Sequence, residues 1–307
     1  MTARKKVVVV CNRAAGTAAK CDDPHDLICK ALRAAGAEAE VRGVPGPELA
    51  QAAKEAAADP SVDVVVAAGG DGTVSAVAGA LVGSGRPMGV LPMGTLNHFA
   101  KDLGIPLELE EAARVIVEGA PLPVDTGEVN GRVFVNNSQI GLYPKLVRKR
   151  TARARWLGKW VAAAVAAFEL FRRIPLIRVR LHLEDVGLHR TTPFVFVGNN
   201  CYDASERTRA RLDAGVLCLF VASRTTKPGL LALALRAVFG RLDERRDLHA
   251  LSLREVRIDA RKRHLDVAAD GEVIRMRPPL RYRVRPRSLR VIVPREPRRP
   301  PASPAPA

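Results

Sequence analysis

The chain has 307 residues, 47% of them hydrophobic, which is enough apolar material for a folded protein of one large or two ordinary domains. No run approaches the roughly 20 apolar residues that a membrane-spanning helix needs, since the longest candidate, Trp160–Leu170, already contains Glu169. The net charge of +17 sits at the back of the chain: residues 1–144 sum to −4 and residues 145–307 to +21, so the halves are expected to do different jobs.

The five cysteines (Cys11, Cys21, Cys29, Cys201 and Cys218) form no CxxC pair, and their odd number argues against a disulfide framework. A reducing cytoplasm is therefore expected. The valines at 7–10 are too short a run for the core of a secretion signal.

Val7–Cys11 reads as a short, fully apolar strand, followed by the loop Asn12-Arg13-Ala14-Ala15-Gly16. Residues 23–35 have helical spacing, with Leu27, Ile28, Ala31 and Leu32 on one face and Gly36 as the cap. Strands at 37–43, 62–68 and 88–91 then alternate with helices at 47–58, 74–82, 96–103 and 109–118. Alternation of this kind, with strands apolar throughout, predicts a parallel sheet covered on both faces.

Near Pro121 the pattern changes, and strands dominate: 124–129, 132–137, 177–183, 193–198, 216–222, 251–258, 265–269, 280–284 and 289–293. Asn130-Gly131 is a two-residue hairpin signal. Short links between strands predict an antiparallel β-rich domain, interrupted by helical insertions at 152–173 and 228–240. The expected division is an α/β domain over 1–121 and a β-rich domain over 122–293, whose last strand can return to the first domain. A Pro-, Ala- and Arg-rich tail at 294–307 is expected to be disordered.

Gly69-Gly70-Asp71-Gly72-Thr73 joins an apolar strand to a helix. In a parallel sheet that junction lies at the carboxyl end of a strand, where ligands bind. Glycines let the backbone approach an anion, and amides at a helix start bind phosphate oxygens. Thr73 offers a hydroxyl and a helix cap. Asp71 would repel bare phosphate unless it holds Mg²⁺, so the loop reads as a site for a metal nucleotide. Gly94-Thr95-Leu96-Asn97, one βα unit later, supplies a second wall, and Asn12 and Gly16 a third. Neither GxxxxGK[ST] nor GxGxxG is present.

Together, Asn12-x-x-x-Gly16, Gly69–Thr73, Gly94-Thr95-x-Asn97 and the late Asp270-Gly271-Glu272 resemble the catalytic domain of the diacylglycerol and sphingosine lipid kinases, above all the bacterial soluble branch. The resemblance implies a two-domain fold of the NAD kinase/diacylglycerol kinase type with its active site in the interdomain cleft. It implies an ATP-dependent, Mg²⁺-requiring kinase that phosphorylates a lipid hydroxyl, of diacylglycerol or a related lipid. Residues 69–75, Val74 and Ser75 included, would bind ATP with Thr95. Glu272 would be the general base, Asp71 would act with the metal, and Asp125 would join the metal network. The family often holds a structural Mg²⁺ through Asp-Asp-Gly, which here is Asp213-Ala214-Gly215, leaving Asp213 as candidate ligand. His98 stands where the family commonly has Asp. Read from the residues alone, Asp270-Gly271 is equally a hairpin turn. A small-metabolite kinase of the NAD kinase type and a non-catalytic nucleotide-binding module stay open beside the lipid kinase.

Residues 145–159 carry seven Lys/Arg, and Trp156, Trp160, Ala164, Phe168 and Phe171 follow at near-helical spacing. That is the composition of an interfacial helix on an anionic membrane surface, and also of a stripe packed on a core. The expected partners are a lipid substrate and, peripherally, the inner membrane face, with room for a homodimer. Nucleic acid is not expected, because the basic half lacks aromatics interleaved with its charges.

Overall fold

The computed structural model describes residues 4–13, 24–141, 176–183, 186–202, 209, 211–222 and 248–295. Gly16, the basic segment and aromatic stripe over 145–171, the helical expectations at 152–173 and 228–240, and the tail from 296 lie outside the described residues.

The first half alternates β1 (Lys6–Asn12), α1 (Pro24–Ala34), β2 (Glu38–Val44), α2 (Leu49–Ala58), β3 (Val64–Gly69), α3 (Asp71–Leu81), β4 (Met88–Pro92), α4 (His98–Asp102) and α5 (Leu109–Glu118). Strands follow: β5 (Ala120–Val129), β6 (Arg132–Phe134), β7 (Asn137–Gly141), β8 (Ile177–Leu183), β9 (Val186–Thr192) and β10 (Phe194–Asn199). The remainder are β11 (Leu217–Ala222), β12 (Leu248–Leu253), β13 (Glu255–Ala260), β14 (Leu265–Ala269), β15 (Glu272–Met276) and β16 (Leu280–Val293). They fall into two compact units. One takes Met1–Asn136, Asn199–Gly215 and Val284–Ala307, and the other takes Asn137–Gly198 and Val216–Arg283.

In the first unit β2, β1, β3 and β4 are parallel neighbours in that order. β3 and β4 are buried along their whole length, and Val7–Val10 of β1 are fully covered. Helices cover both faces, so a continuous β-branched run is stable here where an alternating one would waste half its apolar surface. β2 is the edge strand, and its exposed Glu38 and Glu40 suit an edge. From β1 the chain moves to one side for β2, then crosses to the other for β3. The carboxyl ends of β1 and β3, at Asn12 and Gly69, therefore flank a point where the strand order reverses, the usual place for a ligand in an open α/β sheet. β5 and β6 turn on Asn130 and Gly131, both at positive φ (46° and 85°), the geometry the hairpin signal predicts. The end of β16 lies parallel to β4 through Val291 and Met88.

The second unit is antiparallel. Six strands run in the order β12-β11-β10-β7-β14-β15, and a second group sets β9 on β8, β8 on β13, and β13 on Leu280–Arg283 of β16. Tyr282 is buried there, its hydroxyl 3.1 Å from Ser138 Oγ, and burial pushes its phenol far above the ordinary range.

Several sequence expectations are corrected. The strand expected over 251–258 is two: β12 and β13 lie in different sheets. The apolar phase had already slipped by one residue, from Leu251 and Leu253 to Val256 and Ile258, and such a slip exchanges the faces of a strand. Conversely, 280–284 and 289–293 belong to one strand, because Pro286 falls between the stretch paired with β13 and that paired with β4. The strand expected over 132–137 is likewise two, β6 and β7, and β9 was not anticipated. α3 begins at Asp71 rather than Val74. Cys201 and Cys218 are disulfide-bonded, against the expectation of none, while Cys11 and Cys29 are free.

A buried ion pair joins distant segments of the first unit. Arg209 Nη2 is 2.6 Å from Asp102 Oδ2, with side chains 0% and 7% exposed. Arg209 also donates to the carbonyls of Val135 (2.6 Å) and Asn199 (3.1 Å) and to Asn136 Oδ1 (2.8 Å). Replacing Arg209 with Met leaves the Asp102 carboxylate buried without its counter-charge. We expect a loss of about 3–5 kcal/mol in urea unfolding, and an unchanged midpoint would show that the pair carries no net stability.

Candidate functional site

The site begins with two loops that leave neighbouring parallel strands at the same end. Gly69 of β3 pairs with Pro92 of β4, and Met93 N donates to Gly69 O at 3.0 Å, so the ladder continues one step beyond the strands. The loops then touch backbone to backbone. A Cβ on Gly94 would stand 2.4 Å from Gly70 Cα, a distance that no side chain tolerates. Gly69 is at φ +156°, and a Cβ there would lie 2.6 Å from Thr73 Oγ1. The glycines are thus set by close approach to each other and to Thr73.

α3 starts immediately after Gly70, which is extended (φ −86°, ψ −176°) and gives no side-chain cap. The first helical hydrogen bond runs from Val74 N to Gly70 O at 3.1 Å. The amides of Asp71, Gly72 and Thr73 precede it and have no acceptor within the helix. Gly72 is exposed, with nothing within 4 Å of where a Cβ would stand. An anion can therefore reach this helix start, where the dipole favours negative charge.

The expected nucleotide residues divide by what their side chains do. Thr73 is 6% exposed and packs beneath Gly69 within the helix, rather than capping it. Val74 belongs to the hydrophobic core, and Ser75 is buried. Asn97 sits in the left-handed region (φ 51°, ψ 45°), 7% exposed. Its Oδ1 accepts from Gly94 N at 3.0 Å and its Nδ2 donates to Gly94 O at 2.8 Å. Asn97 therefore shapes the second loop by bonding to both backbone groups of Gly94, and it favours the left-handed conformation that few other residues adopt. Thr95 is exposed on that loop. Asn12 ends β1, at the strand-order reversal.

The carboxylates are in different circumstances. Asp71 is half-buried, and its Oδ1 accepts from Phe99 N at 3.4 Å, linking the start of α3 to α4. Asp125 is 1% exposed. Its Oδ1 accepts from Arg287 N (2.8 Å) and its Oδ2 from Gly215 N (2.6 Å), while its own amide donates to Leu212 O (2.7 Å). It ties β5 to the 212–215 segment and to β16. Asp213 lies 3.1 Å from Arg211, whose hydrogen bond and charge hold its carboxyl below the usual range. Among the described residues no group of three or more His, Cys, Asp or Glu could hold a metal ion. His98 is exposed at the first position of α4.

Glu272 belongs to the second unit, exposed at the first position of β15 and paired with Ala269. Asp270 and Gly271 form the β14–β15 turn at φ 46° and 88°. Asp270 Oδ1 accepts from Asn137 N at 3.0 Å, and Asp270 N donates to Asn137 O at 2.9 Å, so Asp270 fixes the turn on which Glu272 stands.

Sequence reasoning missed the residues that hold α4, and with it the second loop. Arg209 grips Asp102 at the end of α4, yet neither residue lies in a motif. Asp102 follows Lys101, and Arg209 lies between Arg207 and Arg211, so nothing in the sequence separates either from ordinary surface charge.

Residues 6–129 match the family model described as the diacylglycerol kinase catalytic domain, and residues 143–293 match that of the YegS C-terminal NAD kinase beta sandwich-like domain. A diacylglycerol kinase of Bacillus subtilis (strain 168) is 46% identical over 92 residues, a match that covers 29% of this chain and only 30% of that relative's length. A diacylglycerol kinase of Staphylococcus aureus (strain JH9) is 27% identical over 227 residues, 72% of each chain. The fold is shared with a solved structure of a putative diacylglycerol kinase from Bacillus anthracis str. Sterne, with a TM-score of 0.72 at 22% identity over 94% of this chain and 95% of that one. Another from the same organism gives a TM-score of 0.70 at 23% identity, over 95% and 98%.

Gly94→Ala forces the two loops apart, at a cost of about 1–3 kcal/mol for overpacking. Equilibrium unfolding of Gly94→Ala against the original protein checks this, and equal stability would mean that the loops separate without resistance.

Proposed function

Because the chain belongs to the diacylglycerol kinase catalytic-domain family, with the YegS-like second domain, we propose that it is an ATP-dependent kinase of a lipid hydroxyl, with diacylglycerol or a closely related lipid as acceptor. The observation that carries this reading is the accessible start of α3, where the Asp71, Gly72 and Thr73 amides have no helical acceptor and sit beside a second glycine loop. Such a start binds the phosphates of ATP through backbone donors, while the Thr95 hydroxyl adds a side-chain donor from the other loop.

In the reaction, the lipid hydroxyl oxygen bonds to the γ-phosphorus, the bond to the bridging oxygen breaks, and ADP leaves. The hydroxyl proton passes to Glu272, whose carboxylate is exposed on a fixed turn. Phosphoryl transfer needs positioning and charge neutralisation more than covalent chemistry: the backbone amides would position the phosphates, and Mg²⁺ on Asp71 would offset their charge.

Mg²⁺ fits this donor set on one condition. Asp71 uses one oxygen on Phe99 N and can offer the other, which matches the habit of Mg²⁺ of taking one or two carboxylates and completing its shell with phosphates and water. When bound, the ion neutralises charge on the phosphoryl oxygens. Asp125 is the poorer ligand, since both of its oxygens already accept backbone N–H bonds. Asp213 is paired with Arg211 and lacks a second acid at position 214.

Incubation with ATP, Mg²⁺ and dispersed bacterial lipid extract is expected to phosphorylate a lipid. Glu272→Gln should lower kcat about a hundredfold or more with little change in KM for ATP. Lipid phosphorylation by Glu272→Gln at the original rate would remove Glu272 from the mechanism, and transfer to no lipid would remove the reading itself.

A further inference from the structure

The antiparallel group in the second unit places its arginines on one side. Residues directly opposite each other in an antiparallel pair share a face. Arg180 opposes Asp259, His182 opposes Arg257, Arg257 opposes Arg281, and Glu255 opposes Arg283. With Arg178 two residues along β8, five exposed arginines and two carboxylates share the face over β8, β13 and the start of β16. The intervening residues, among them Val179, Leu181, Val256, Ile258 and Leu280, are buried on the other side. At about 4.8 Å between strands, the arginines cover an area roughly 10–15 Å across.

We infer that this sheet face is a docking surface for an anionic lipid bilayer, an inference that rests on the lipid-kinase reading for its choice of partner. The charge is complementary to a negative leaflet. Two carboxylates offset part of it, Asp259 at 2.7 Å from His182 and 3.3 Å from Arg257 and Glu255 opposite Arg283, and five arginines leave the face net positive. The turn that follows β13 extends the same sign with Arg261, Lys262 and Arg263, all exposed. The layout also suits a bilayer: guanidinium groups stand in neighbouring rows on one face of the sheet. Paired β9 positions add Gly187, His189 and Thr191, so the face carries no Phe, Tyr or Trp on which bases would stack. Nor does it present a helix to a major groove. Contact is therefore electrostatic and reversible, without insertion of apolar side chains.

The test is co-sedimentation of the full chain with vesicles of phosphatidylcholine alone and of equimolar phosphatidylcholine and phosphatidylglycerol, at low and high salt. The protein should sediment with the anionic vesicles only, and detach as salt rises. Combining Arg178→Gln, Arg180→Gln and Arg257→Gln should weaken binding about a hundredfold, from roughly fivefold for each arginine lost. These side chains are exposed, and an unchanged unfolding midpoint verifies the fold. Vesicle binding by the triple variant equal to that of the original protein overturns the inference and leaves the basic segment at 145–159 as the binding element. Stronger binding to duplex DNA than to anionic vesicles at the same salt also overturns it. Phosphorylation of lipid dispersed in neutral detergent, assayed in parallel, separates this inference from the catalytic one. Activity in detergent together with unaltered vesicle binding by the variant sinks the docking surface alone. Arginine-dependent vesicle binding by a protein with no lipid kinase activity supports the surface and sinks the kinase.

Discussion

The contact of Gly70 with Gly94 constrains everything around the phosphate end of the first unit. β3 and β4 are parallel neighbours, so their following loops emerge side by side at strand spacing. Ordinary side chains at both positions would wedge the loops apart. With glycine at both, the Gly94 Cα lies against Gly70, and the amides that open α3 face outward beside Gly94-Thr95. The second loop must then turn sharply to enter α4, and Asn97 makes that turn in a left-handed conformation while bonding to both backbone groups of Gly94. Strand adjacency, glycine contact and asparagine turn form one sequence of causes, each requiring the one before it.

The same unit shows two uses of a carboxylate. Asp125 is enclosed and accepts from two backbone amides, so its charge is spent on holding β5, residues 212–215 and β16 together. Asp102 is spent likewise, on Arg209. Hydrogen bonds to a charged group contribute about 1.5–3 kcal/mol each, which makes such carboxylates strong fasteners. Asp71 differs in accepting one long bond from Phe99 N and in lying half-buried at a helix start. What distinguishes a carboxylate available for chemistry from one serving the fold is the number of donors already aimed at it. That number is invisible in the residue's identity.

This explains where the sequence was legible. The strands and helices up to Glu118 could be read because β1, β3 and β4 are buried on both faces, so their apolar runs and glycine junctions leave a strong local signal. Asn130-Gly131 and Asp270-Gly271 could be read because Asn-Gly and Asp-Gly tolerate the positive φ that a type I′ turn demands at both positions. The break at Arg254 was concealed because two strands of different sheets abut with a single residue between them, and only the phase of the apolar residues records it. The role of Asp125 was hidden for another reason. Its partners, Gly215 N and Arg287 N, are backbone atoms 90 and 162 residues away, and a backbone donor has no sequence signature. Arg209 was hidden similarly, with two carbonyls among its acceptors. Val74 and Ser75 continue the loop motif in the sequence, yet in the helix both are buried, Val74 in the hydrophobic core.

The basic charge of the back half acquires direction only through strand periodicity. In Ile177-Arg178-Val179-Arg180-Leu181-His182 the polar residues, two of them arginines, fall on every second position. On a helix that spacing would spread them around the axis, whereas on a strand it gathers them on one side and leaves the other for the core. Antiparallel pairing then brings the Arg178 and Arg180 row beside that of Arg257, and Arg257 beside Arg281. Rows at strand spacing lie closer than the screening length of about 8 Å at physiological ionic strength, so their fields add instead of being damped separately. The alternation that gives this unit its core is thus also what turns a diffuse excess of arginine into a one-sided field.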